Sequence, residues 1–173
     1  MTINFNNIEY LKQGNPKQRR AYEVLTRHTL LQILSDYDPI LVGTIPINID
    51  IDSSDLDLIC FVNDLVQFKQ LLEKQFGHYK GFMVKEKSEV KPKALLASFI
   101  IDEFIVEIFG QDIPTNHQNA YRHMVVEHKL LQQYGEPLRE KIVELKKQGY
   151  KTEPAFGFAL GIKGDPYQEL LKM

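Results

Sequence analysis

Apolar positions along the chain fall into two regimes. Up to Gly110 they form short runs punctuated by turn residues and by two helical stretches, whereas beyond Gly110 they recur at helical spacing. Ile3, Phe5, Ile8 and Leu11 give a short helix or extended lead-in over Met1–Asn15, broken at Gly14-Asn15-Pro16. Lys17–Asp36 lacks Gly and Pro, and Tyr22, Leu25, His28, Leu31 and Ile33 or Leu34 lie at helical spacing, which predicts one helix ended by Tyr37-Asp38-Pro39. An apolar run then closes in Gly43-Thr44, and a second runs from Leu58 to Val62. Asn63 is the expected N-cap of a helix reaching about Phe76, with Leu65, Phe68, Leu71 and Leu72 on one face. Phe82–Val84 reads as a strand, Lys85–Lys93 as a charged loop, and Ser98–Gly110 as a hairpin turning at Asp102-Glu103.

After the hairpin, a helix capped by Asn116 is expected from about His117 to Tyr134, with Tyr121, Met124, Val125, His128 and Leu130 or Leu131 along one stripe. A second helix spans 136–148 and stops at Gly149, and a third starts at Thr152 as N-cap with Pro154 in its first turn. Phe156, Phe158, Leu160, Tyr167, Leu170 and Leu171 are assigned to covering the core. The expected architecture is a single α/β (α+β) domain over residues 1–173. It has a sheet-containing core, 1–110, whose sheet is mixed because a hairpin is antiparallel, and a C-terminal helical layer, 111–173.

Composition changes this picture little. The 173 residues are 43% apolar and 25% charged with a net charge of −2, an ordinary globular balance that argues against a general nucleic-acid-binding charge. Cys60 is the single cysteine, which excludes an intrachain disulfide and a thiolate zinc site. Neither a signal sequence nor a run of eighteen apolar residues is present, so membrane spanning and export are not expected and the cytoplasm of a bacterium is the expected compartment. His117, His123 and His128 are wrongly spaced to share one helical face as zinc ligands.

The chemistry concentrates in LVGTIPINIDIDSSDLDLICF, Leu41–Phe61. Ten residues after Gly43-Thr44, Asp55-Leu56-Asp57 opens the second apolar run. Carboxylates at i and i+2 on a strand share a face about 7 Å apart, where they repel and raise one another's pKa unless a cation intervenes. Hard divalent ions such as Mg²⁺ suit such oxygens. Gly43 lets backbone approach a ligand, and Thr44 offers a hydroxyl and an N–H to phosphate. Asp50 and Asp52 form a competing pair, but they run into the Ser53-Ser54 turn while Asp55 and Asp57 run into a buried strand. The rigid pair is the better ligand set. Glu107, embedded between Val106 and Ile108, either faces solvent or joins the pair as a third carboxylate.

Hydrophobic-Gly-Thr, a D-x-D about ten residues later and a downstream strand with a carboxylate resemble the DNA polymerase beta-like nucleotidyltransferase superfamily. The segments YDPILVGTIPI, SDLDLICF, QNAYRHMVVEHKLL and KTEPAFGFALGIKGDPY are closest to a bacterial family of unknown function grouped with it. The resemblance implies transfer of a nucleoside monophosphate from a nucleoside triphosphate to a hydroxyl of an acceptor (small molecule, RNA or protein), with two Mg²⁺ ions, or Mn²⁺, on Asp55, Asp57 and Glu107 as metal-binding and catalytic residues. Gly43, Thr44, Ser54, Lys93, Arg122 and His123 are the corresponding candidates for contacting the nucleotide, and Lys91 is a further phosphate candidate. The alternative is a catalytically silent module that binds nucleotide, RNA or a protein partner. Ile45-Pro46-Ile47 departs from the superfamily pattern, in which small or basic residues follow the Gly-Ser; Pro46 in particular lacks an N–H for phosphate.

Overall fold

A computed structural model describes residues 3–173, and the part of the expected lead-in at residues 1 and 2 lies outside them. Five strands form one mixed sheet: β1 (Ile40–Val42), β2 (Leu56–Phe61), β3 (Lys80–Lys87), β4 (Ala94–Ile101) and β5 (Phe104–Gln111), in the spatial order β1-β2-β5-β4-β3. β2 and β5 are parallel, and every other pairing is antiparallel. The hairpin turns at Asp102, whose φ of 50° a short polar residue tolerates.

Strand alternation divides the apolar residues between two cores. Leu56, Leu58 and Cys60 of β2 and Phe104, Val106 and Ile108 of β5 point to one face, where α1 (Pro16–Arg27) and α3 (Leu65–Phe76) supply Val24, Leu25, Phe68, Leu72 and Phe76. On the other face, Ile40, Val42 and Ile59 meet Met124, Leu131, Ile142 and Phe156 from α4 (Asn119–Lys147) and α5 (Thr152–Leu160). A last turn, α6 (Pro166–Leu170), is capped by Asp165 and buries Leu170. The expected α/β class, mixed sheet and C-terminal helical layer therefore describe the structure.

Local boundaries differ where tertiary packing or a nearby side chain won. The helix expected over Lys17–Asp36 breaks at Thr29 (φ 52°), giving a separate short α2 (Leu30–Ile33) that turns Leu30 and Leu34 fully into the core. Asp64 rather than Asn63 caps α3, its carboxylate accepting from the N–H groups of Val66 and Gln67 at 3.0 Å. Lys85–Lys87, expected in a loop, extend β3 by pairing with β4. Gln118, not Asn116, stands at the start of α4, because Thr115–His117 form a 3-10 turn. The two helices expected on either side of residue 135 are both present as the two segments of α4, separated by a kink at Gly135 (φ 70°, ψ −156°). Thr152 is the first residue of α5 rather than its cap, and Phe158 is 61% exposed instead of covering the core.

Candidate metal and nucleotide site

The parallel pairing of β2 with β5 sets Asp57 directly opposite Glu107, on the face away from Leu56, Leu58, Val106 and Ile108. Alternation explains why a carboxylate sits inside so apolar a strand: Phe104, Val106 and Ile108 fill the core while Glu107 projects from the opposite face. Asp55, just before β2, joins them, and ligand oxygens of Asp55, Asp57 and Glu107 all lie within 4.8 Å of one another. Asp50 and Asp52 are outside this group; Asp50 accepts from the Asn15 side chain at 3.2 Å.

Three carboxylates so close carry uncompensated charge. Burial, followed by the charges of Asp55 and Glu107, pushes Asp57 up to about 7, against a weaker opposing pull from Lys146. Glu107 is also raised, by burial and then by Asp55, while Lys85 and Lys87 pull it back. This donor set fits a hard divalent cation, which would replace mutual repulsion with shared attraction.

Gly43 abuts the triad. Its φ of +83° is in the left-handed region, and a β-carbon there would stand 2.5 Å from Asp57 Oδ2, so only glycine admits both the turn and the carboxylate. Thr44 Oγ1 donates to Ser54 Oγ at 3.1 Å, closing the ten-residue loop between the glycine turn and Asp55; the Ile51 N–H also donates to that oxygen at 2.9 Å. Ile45, Ile47 and Ile49 are buried within the loop. Gln18 Nε2 donates to the Ile45 carbonyl at 2.8 Å, Arg139 to those of Ile47 and Asn48 at 2.7 and 2.8 Å, and Lys146 Nζ to that of Ile49 at 2.9 Å. Ile45-Pro46-Ile47 thus anchors the loop in both cores, which gives its departure from the phosphate-binding pattern a structural reason.

A cavity of about 720 Å³ opens beside the triad, lined by Gly43, Thr44, Asp57 and Glu107 at one side and by Gln118, His123, Glu127 and Glu153 at the other. His123 is nearly buried; its Nε2 donates to the Tyr167 carbonyl at 2.8 Å and its Nδ1 lies 3.5 Å from Glu153 Oε1. Lys91 also lines the cavity. The structure does not bring Lys93 or Arg122 to its wall: Lys93 pairs with Glu86 at 3.0 Å, and exposed Arg122 donates to Asn119 at 3.2 Å.

Sequence reasoning did not single out Glu127, Lys146 or Glu153 as site residues. Glu127 is 3% exposed, its Oε1 has no hydrogen-bond partner among the described residues, and burial followed by the charge of Glu153 pushes it up to about 8. Buried Lys146 is pushed down to about 8. Both were visible as ionisable residues on apolar stripes, Glu127 three residues from Met124 and four from Leu131, Lys146 four from Ile142.

Fold and site define a class: a nucleotidyltransferase-like sheet with a carboxylate triad beside a glycine turn. Solved structures with this fold include the GLD-2/RNP-8 complex (17% identity, TM-score 0.54), the Cid1 poly(U) polymerase (14%, 0.54) and a cytoplasmic RNA terminal U-transferase (17%, 0.53). Each comparison covers 88% of this chain and 57%, 52% and 50% of the respective structure, so the chain spans about half the length of these neighbours. No curated protein matches the sequence. The chain belongs to the family described as domain of unknown function DUF4269, whose family model matches residues 23–173.

Proposed function

We propose that this protein is a divalent-metal-dependent nucleotidyltransferase that moves a nucleoside monophosphate from a nucleoside triphosphate to an acceptor hydroxyl. The observation that carries the reading is the convergence of Asp55, Asp57 and Glu107 within 4.8 Å beside the Gly43–Thr44 turn. Asp55 and Asp57 would hold two Mg²⁺ ions between them, with Glu107 completing the set for one. Bound there, the ions supply neutralisation of phosphate charge and acidification of the attacking hydroxyl. Thr44, its hydroxyl bonded to Ser54, would offer its N–H to the triphosphate, and Lys91 on the cavity wall would add a positive charge for it. Glu107, raised in pKa and opposite Asp57, would take the hydroxyl proton as general base. Cid1, of the same fold, has been solved with MgGTP and with a UTP analogue, which supports this reading without fixing the base used here.

One observation favours a second reading. Ile45-Pro46-Ile47 puts apolar side chains and a proline without an N–H where a triphosphate site would offer donors, which fits a nucleotide-binding module without transfer activity. Calorimetric titration of the four ribonucleoside triphosphates, with and without Mg²⁺, is the test, using the protein and an Asp55→Asn, Asp57→Asn double variant. Transfer predicts saturable, Mg²⁺-dependent binding that the variant loses. Binding without Mg²⁺ that survives in the variant supports the silent module, and no binding by either protein overturns both readings.

A further inference from the structure

The inner end of the cavity poses a problem that the triad does not solve. Glu127 is 3% exposed, lines the cavity, and has no partner for Oε1 among the described residues, although a buried carboxyl without a hydrogen bond is destabilising. Glu153, at the start of α5, reaches the same end and faces His123. His123 cannot serve Glu127 through Nε2, because that N–H is given to the Tyr167 carbonyl. Lys146, on the same helix, donates to the Ile49 carbonyl instead of pairing with Glu127. The remaining charges are Asp57 and Glu107 at the outer end, and Lys91 is the one lysine or arginine of the wall among the described residues. Such a wall attracts cations and repels the phosphates that the outer end is suited to hold through metal.

We infer that the inner end, at Glu127 and Glu153, seats an ammonium group of the acceptor, so that the acceptor is a hydroxyl compound carrying a primary amine. This rests on the nucleotidyl-transfer reading only in calling the ligand an acceptor; the ammonium seat itself follows from the unpartnered carboxyl. An ammonium supplies three donors to the two carboxyls and the positive charge that the wall lacks. Its arrival converts Glu127 from the protonated form, favoured by burial and Glu153 against a weaker pull from Lys146, to the carboxylate. Binding therefore expels a proton at neutral pH.

The test is calorimetric titration of the full chain with matched probes, glucosamine against glucose and ethanolamine against ethylene glycol, in the absence of metal and nucleotide. Repeating it at pH 7 in two buffers of different ionisation heat, neither a primary amine, counts protons. The expected result is saturable binding of at least one amine probe, about tenfold or more tighter than its neutral counterpart. It is accompanied by release of roughly one proton. Glu127→Gln, isosteric and checked for folding by its urea transition, loses both the preference and the proton release. The Asp55→Asn, Asp57→Asn variant keeps the amine binding while losing Mg²⁺-dependent nucleotide binding, so the two readings fail separately. Equal binding of amine and neutral probes, no binding of either amine, or an unchanged preference in Glu127→Gln overturns the inference. A change in which triphosphate Glu127→Gln binds also overturns it, assigning the carboxyl to a base.

Discussion

Replacing Glu127 by glutamine should make the stability of this protein markedly less dependent on pH. In the folded state Glu127 titrates at about 8 because burial and Glu153 disfavour its charge; unfolded, it returns to the ordinary 4.5. A folded value above the unfolded one means that the folded state holds the extra proton. Its stabilising contribution is fully present below pH 4.5 and is lost as pH rises through about 8. At 1.36 kcal/mol per unit, the loss between about pH 5 and about pH 7.5 integrates to about 3 kcal/mol. Lys146, folded at about 8 against 10.5 unfolded, is still about three-quarters protonated in the folded state at pH 7.5, so its own contribution over that window is small beside that of Glu127. The other titrating groups are common to both proteins and cancel in the difference. With a urea m-value of about 2 kcal/mol/M, the wild-type midpoint should fall relative to that of Glu127→Gln by about 1.5 M between the two pH values. Equal midpoint differences at both pH values would refute the reasoning, because they would mean that Glu127 is already ionised or solvated in the folded protein.

Gly43→Ala should destabilise the fold by about 1–3 kcal/mol, since it combines a strained φ with a β-carbon 2.5 Å from Asp57 Oδ2. The same change should weaken Mn²⁺ binding, followed by electron paramagnetic resonance, as Asp57 moves aside. Phe156→Ala should cost about 3–5 kcal/mol in urea unfolding, because Phe156 is fully buried where α5 meets the second core. Hydrogen exchange in that variant should rise first in α5, which carries Glu153, and least in β4 and β5.

The sheet and its carboxylates were legible because period-two patterning and the Gly-Thr to D-x-D spacing are local. The pattern alone left Glu107 undecided between a solvated face and the triad. Only the parallel β2–β5 pairing, a long-range fact, sets it against Asp57. Helix interiors followed from their apolar stripes, but caps did not: Asp64 displaced Asn63 by one position, and the 3-10 turn at Thr115–His117 moved the start of α4 past Asn116. The break at Thr29 was invisible because no Gly or Pro marks it; it exists so that Leu30 and Leu34 reach the core. Lys93 and Arg122 show the corresponding limit for site residues, since proximity in sequence to a motif does not aim a side chain at the cavity.

The loop from Thr44 to Ser54 joins these observations. The proposed triphosphate contact calls for a rigid turn at Gly43, yet the following residues offer apolar side chains and a proline in place of further phosphate donors. The fold holds the loop from behind: three isoleucines enter the cores, and Gln18, Arg139 and Lys146 occupy its carbonyls. Two of those three are cations on α4, the helix that also carries Glu127. The segment of α4 after the Gly135 kink therefore fixes the turn beside the carboxylate triad, and the segment before it forms the far wall of the cavity. Substituting Glu127 changes the inner end and leaves in place the residues beyond the kink that hold the loop. That separation is why the stability of Glu127→Gln and its ligand preference are independent measures of the same buried carboxyl.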